Sequence, residues 1–174
     1  MAKVDATMYA TALMEASKDR PVATWQQRRK LEDALERIPE LKRTLVATAA
    51  LPEKRRRQEV DRLLHEWPLA LRRLVEELAA QRALDSLQAI GRAHTRLLQQ
   101  AGYPWVRFES ARPLSTSEYK NLANALPADR MKMLLEFSVD PDLIGGVRVL
   151  YNDHEYDVTI GGGLDRLATA LEVS

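Results

Sequence analysis

The sequence predicts two domains of different class, an all-α N-terminal helical bundle of about six helices over residues 1–103 and a small α+β domain over 104–174. Apolar residues recur at helical spacing through the first hundred positions and alternate at strand spacing afterwards. Net charge changes sign at the same place: residues 1–103 carry 19 basic and 14 acidic groups, net +5, and residues 104–174 carry 7 and 11, net −4. A joint switch of charge and period marks a domain boundary, placed here at Gly102-Tyr103-Pro104. The 174 residues are 45% hydrophobic and 29% charged with only 7 Gly and 8 Pro, which excludes disorder and low-complexity repeats.

The first helix is predicted between Ala6 and Lys18. Thr7, Thr11, Glu15 and Lys18 form one narrow polar stripe, leaving Ala6, Met8, Tyr9, Ala10, Ala12, Leu13, Met14 and Ala16 around the rest of the circumference. A single core-facing stripe does not use that much apolar surface, so the helix is either central in its bundle or packed on its bundle with one side and on a partner with another. Pro21, Pro39, Pro52 and Pro68 then punctuate the chain, each near a first helical turn where its missing N–H costs little. Val60, Leu63, Leu64 and Trp67 form one stripe, Leu71, Leu74, Val75 and Leu78 a second, and Leu84, Leu87, Ile90, Leu97 and Leu98 a third. A compact bundle buries such stripes.

Charged residues of the bundle read as surface chemistry. Lys54-Arg55-Arg56-Arg57 is the one basic run, but Glu59 and Asp61 follow it and no aromatic or glycine interleaves to stack bases, so a solvated helix face is expected in place of nucleic-acid binding. Arg72/Glu76 and Arg73/Glu77 stand at i,i+4 spacing on another helix.

After the boundary, Trp105 to Glu109 alternate as a strand. Ser115 and Glu118 form a capping box, with Leu114 placed to staple onto Tyr119, and start a helix running through Leu126. Met131 to Val139 alternate again and end at Asp140-Pro141-Asp142. Val147–Tyr151 and Glu155–Ile160 follow as strands joined at Asn152-Asp153, a hairpin signal, and Leu164, Leu167, Ala168 and Leu171 mark a last helix. The order is β-α-β-β-β-α.

No constellation carries chemistry. Gly161-Gly162-Gly163 lacks the companions of a phosphate loop, and Asp165 would repel an anion there, while Gly145-Gly146 reads as a bend or bulge. His65, His94 and His154 have no partner at ligand spacing and are expected at the surface or a helix edge. Asp140 and Asp142 read as turn carboxylates. Without cysteine there is no disulfide, thiol nucleophile or thiolate metal site. No catalytic, cofactor-binding or metal site is predicted, and no stretch approaches the roughly 20 apolar residues of a membrane span. Met1 to Asp5 show neither a signal h-region nor a transit-peptide character, so an intact cytosolic N-terminus is expected.

The block Val139-Asp140-Pro141-Asp142-Leu143-Ile144-Gly145-Gly146-Val147, followed by Asp157-Val158-Thr159 and Leu164-Asp165-Arg166-Leu167, resembles the delta subunit of the F-type ATP synthase, the family of the oligomycin-sensitivity-conferring protein. Pro113-Leu114-Ser115 with Glu118, the Tyr9-Ala10 pair, Val22 with Trp25-Gln26, and Arg82 with Leu84 extend the likeness over nearly the whole chain. Ala6-Thr7-Met8 departs from the Arg that usually precedes the helix-one Tyr, and Gly161 and Gly163 replace residues that are often basic or polar. The resemblance implies a non-catalytic stator protein of a bacterial enzyme, one copy per complex, peripheral on the cytoplasmic face of the cell membrane. Its N-terminal domain would hold the N-terminal helices of alpha subunits on the catalytic head, and its C-terminal domain the b subunits of the peripheral stalk. The head is thereby kept from turning with the rotor during proton-driven ATP synthesis. The family's alpha-subunit helix docks against the first and fifth helices, which implies Tyr9, Ala12, Leu13, Ala16, Val75 and Ala79 as its partner-binding residues. A basic helical nucleic-acid-binding protein is the alternative.

Overall fold

The computed structural model describes residues 4–124, 132–143, 145–151 and 154–158, with backbone alone at 123 and 154–158. The chain divides into two compact units, Met1–Ala101 and Gly102–Ser174.

Among the described residues, six α-helices build the first unit. The Asp5 carboxylate caps α1 (Ala6–Ala16), accepting from the Thr7 and Met8 N–H groups at 3.0 and 3.1 Å. Pro21 and Pro39 open α2 (Pro21–Arg37) and α3 (Pro39–Ala47), where a fixed φ favours the helix and no hydrogen bond is lost. Pro52 and Pro68 stand one position earlier, as N-caps of α4 (Glu53–Leu63) and α5 (Leu69–Ala80). Short 3₁₀ turns precede α4 and α6 (Leu87–Gln100). The predicted stripes meet in one core: Val60 and Leu64, then Leu71, Leu74, Val75 and Leu78, then Leu84, Leu87 and Ile90, with Ala10 and Leu13 from α1. Helix α1 lies mainly along α6 and also touches α5.

The expected i,i+4 pairs on α5 do not form, because α4 brings Asp61 within reach. Asp61 accepts from Arg72 at 2.8 Å and from Arg73 at 3.0 Å. Glu76 is buried and accepts from Arg73 at 2.9 Å and from Arg57 of α4 at 3.3 Å. These charges clamp two helices together and are not isolated surface decoration.

In the second unit, β1 (Trp105–Ser110), α7 (Thr116–Asn124), β2 (Leu134–Val139), β3 (Val147–Tyr151) and β4 (His154–Val158) give a four-stranded sheet in the order β2-β1-β3-β4. Strands β1 and β2 are parallel, with Trp105 opposite Leu134, and the other pairs are antiparallel. Parallel pairing follows from the α7 crossover between them, which a tight turn cannot replace. Tyr151 pairs with His154, which leaves a two-residue connection at 152–153, positions outside the described residues. One sheet face packs Val106, Phe108, Val147 and Val149 against Leu122 of α7 and Met133. Phe137 stacks on Phe108 at 4.9 Å between centroids and meets the Tyr119 ring edge-on at 4.3 Å.

The capping box forms as read: the Ser115 N–H donates to Glu118 Oε2 at 2.8 Å and the Glu118 N–H to Ser115 Oγ at 3.3 Å. Gly146 has φ +82°, a left-handed conformation that suits glycine at the bend read from Gly145-Gly146. Strand β2 begins at Leu134, later than the alternation suggested. Met131, the Gly161–Gly163 run and the expected helix over Leu164–Leu171 lie outside the described residues.

Candidate functional site

Helix α1 is two-sided. Ala10, Leu13 and Ser17 face the core, and Tyr9 is half-buried beside them. Thr7, Met8, Thr11, Ala12, Glu15 and Ala16 are exposed. Among these, Met8, Ala12 and Ala16 repeat at four-residue spacing and lie next to Tyr9 around the helix, an outward apolar strip. Met8 is 58% exposed, a large share for a thioether side chain.

The strip is held in place from α5. Gln81, just past the end of α5, donates from Nε2 to the Tyr9 hydroxyl at 2.8 Å and to Glu77 Oε1 at 2.6 Å. A polar rim of Glu77 and Gln81 therefore borders the apolar strip.

Of the six partner-binding residues that the resemblance implies, Tyr9, Ala12 and Ala16 reach this surface. Leu13 does not, being 4% exposed, and Val75 and Ala79 are fully buried within the apolar stripe of α5. Those three are the floor on which the strip rests, since the same helical period that puts Ala12 outside turns Leu13 inward. Met8 belongs to the surface instead, and its four-residue spacing to Ala12 is visible in the sequence.

Lys54 and Arg55 of the basic run are exposed, as a solvated helix face would have it, whereas Arg57 bridges Glu53 at 3.4 Å and the buried Glu76 of α5, and Arg56 donates to the Leu51 carbonyl at 3.2 Å. Asp140 accepts from the Asp142 N–H at 3.1 Å, a turn carboxylate. His65 is exposed, but His94, expected at a surface or helix edge, is completely buried. Its place on the stripe Leu87, Ile90, His94, Leu98 explains why. Among the described residues no group of three His, Asp or Glu side chains is disposed to hold a metal ion, and no helix is long and apolar enough to cross a membrane.

Residues 6–171 match the family described as ATP synthase delta (OSCP) subunit. The chain belongs to that family. An ATP synthase subunit delta of Laribacter hongkongensis is 37% identical over 114 residues, 64% of this chain and 62% of that one. The namesake subunit of Marinobacter nauticus is 31% identical over 169 residues, 94% of this chain and 93% of the relative. A chain in the cryo-EM structure of the Toxoplasma gondii mitochondrial ATP synthase hexamer shares the fold with a TM-score of 0.52 at 17% identity, covering 98% of both chains. Membership in the delta family makes this chain part of an F-type ATP synthase and supports the stator role expected of it.

Proposed function

We propose that this delta-family chain is a non-catalytic tether between the catalytic head and the peripheral stalk. The N-terminal helices of alpha subunits dock on the outer strip of α1, over Met8, Tyr9, Ala12 and Ala16, and the b subunits hold the C-terminal domain. The chain is peripheral to the membrane, on its cytoplasmic face, and resists the torque of the rotor by tight association. The observation that carries this reading is the exposed apolar strip on a helix whose other side already completes the core. An amphipathic partner helix lays its apolar face on such a strip.

A tagged copy of the full chain, expressed at native level, tests the assignment. Detergent-solubilised membranes should yield alpha, beta and b subunits with it in fixed stoichiometry. Recovery of the chain alone, or with nucleic acid that salt strips steeply, would contradict the tether.

A further inference from the structure

Helices α2 and α6 meet over a buried polar cluster that the tether does not use. Arg28 of α2 is 1% exposed, and its Nη1 bonds the Glu32 carboxylate one turn on. Its Nη2 donates to Thr95 Oγ1 of α6 at 3.2 Å, and Trp25 Nε1 donates to the same oxygen at 2.9 Å. Gly91 opens the slot these groups occupy: a Cβ there would stand 2.0 Å from Arg28 Nη1 and 2.2 Å from Glu32 Oε1. His94, one turn along α6, is fully buried, and neither ring nitrogen has a hydrogen-bond partner among the described residues.

We propose that His94 is the trigger of an acid-sensitive lock: protonation of its buried imidazole beside the Arg28 guanidinium frees α6 from α2, and with α6 the mount on which α1 presents its docking strip. A second cation in this seam meets no carboxylate left to pair with it: Glu32 is engaged by Arg28 and, at 3.8 Å, by Arg29, and Glu36 of α2 is exposed and bonded to Gln88 at the start of α6. The α1 side chains packed on the core are Ala6, Tyr9, Ala10 and Leu13, with Ser17 just past its end, and none of them is a carboxylate or a base, while Arg92 and Arg96 on α6 itself are exposed. Burial, and secondarily the Arg28 charge, pushes His94 from its ordinary value down to about 4. A proton therefore binds the unfolded chain first, so stability is lost as pH falls from about 6.5 towards 4. Glu32 acts with the opposite sign, because burial raises its carboxyl above the usual range and acidification favours its folded form. The lock is accordingly read as a difference between wild type and a His94→Gln variant.

Hydrogen exchange of the α6 amides in the full chain, corrected for intrinsic rates, measures the opening equilibrium from pH 7.5 to 5. Between those limits wild type should open about thirtyfold more than the variant does, the ratio set by pKa values near 4 and 6.5. Parallel profiles overturn the lock. If the variant fails to fold, proton NMR of the wild-type imidazole decides: a His94 ring still neutral at pH 5.5 supports the lock, and titration near 6.5 overturns it. The docking half rests on the proposed role of α1, and an alpha-subunit N-terminal peptide added at pH 7.5 separates the two. Absent binding there contradicts the docking surface and leaves the exchange result standing.

Discussion

The Tyr9 hydroxyl on α1 accepts a hydrogen bond from the Gln81 side-chain amide at 2.8 Å, across 72 positions of sequence. The bond is solvent-exposed, so it orients the helix more than it stabilises the fold. Tyr9→Phe should therefore cost no more than about 1 kcal/mol in urea unfolding. A loss several times larger would mean that the hydroxyl bond carries fold stability and does more than orient α1.

Leu13 and Ala12 are neighbours with opposite surroundings, and aspartate separates them. Leu13→Asp puts an uncompensated charge into the core and should lower stability by about 3–5 kcal/mol, visible as a collapsed circular-dichroism melt. A melt unchanged from wild type would show that Leu13 lies at the surface.

Gly91→Ala tests the slot between α2 and α6. Alanine raises helix propensity by about 1 kcal/mol, but its Cβ displaces the Arg28 guanidinium and the Glu32 carboxylate, both buried and bonded. Such overpacking costs typically about 1–3 kcal/mol, so the melt should fall. A melt at or above wild type would mean that the pair moves aside freely.

Much of this architecture is legible in residue order. Prolines at four helix starts, apolar stripes at 3.6 spacing and the Ser115/Glu118 box are local signals, and they placed the helices they belong to. The polar seam was harder to read. Arg28 and Glu32 look like any exposed i,i+4 pair, and only the glycine facing them on α6, 59 or more positions away, makes room to bury them. His94 did carry a signal, since the period of Leu87, Ile90 and Leu98 runs through it. The surface of α1 was half legible: composition revealed surplus apolar area, whereas which residues formed its floor depended on where α5 and α6 sit. The α4–α5 clamp through Asp61 is likewise tertiary.

The capping carboxylate at the start of α7 has its own pH signature. Hydrogen bonds from Arg112, then from the Ser115 backbone and hydroxyl, hold Glu118 down to about 2. The folded form thus favours the charged state, and the stability it lends is present above the ordinary carboxylate range and is lost as pH falls towards 2. Carboxyl carbon NMR should find Glu118 still ionised at pH 3.5. Half-protonation near 4.5 would mean that the box and the Arg112 bond are not formed in solution.

The central claim is that the outer strip of α1 receives a helix from the catalytic head, and Ala12→Asp tests it most directly. Ala12 is exposed, so the substitution should leave the melt nearly unchanged, at a helix-propensity cost below about 0.7 kcal/mol. Calorimetric titration of wild type and variant with a synthetic alpha-subunit N-terminal peptide, at pH 7.5, gives the comparison. We expect affinity to fall by at least about tenfold, equivalent to 1.4 kcal/mol. Equal affinity for the two proteins, with both folded, would contradict docking on α1.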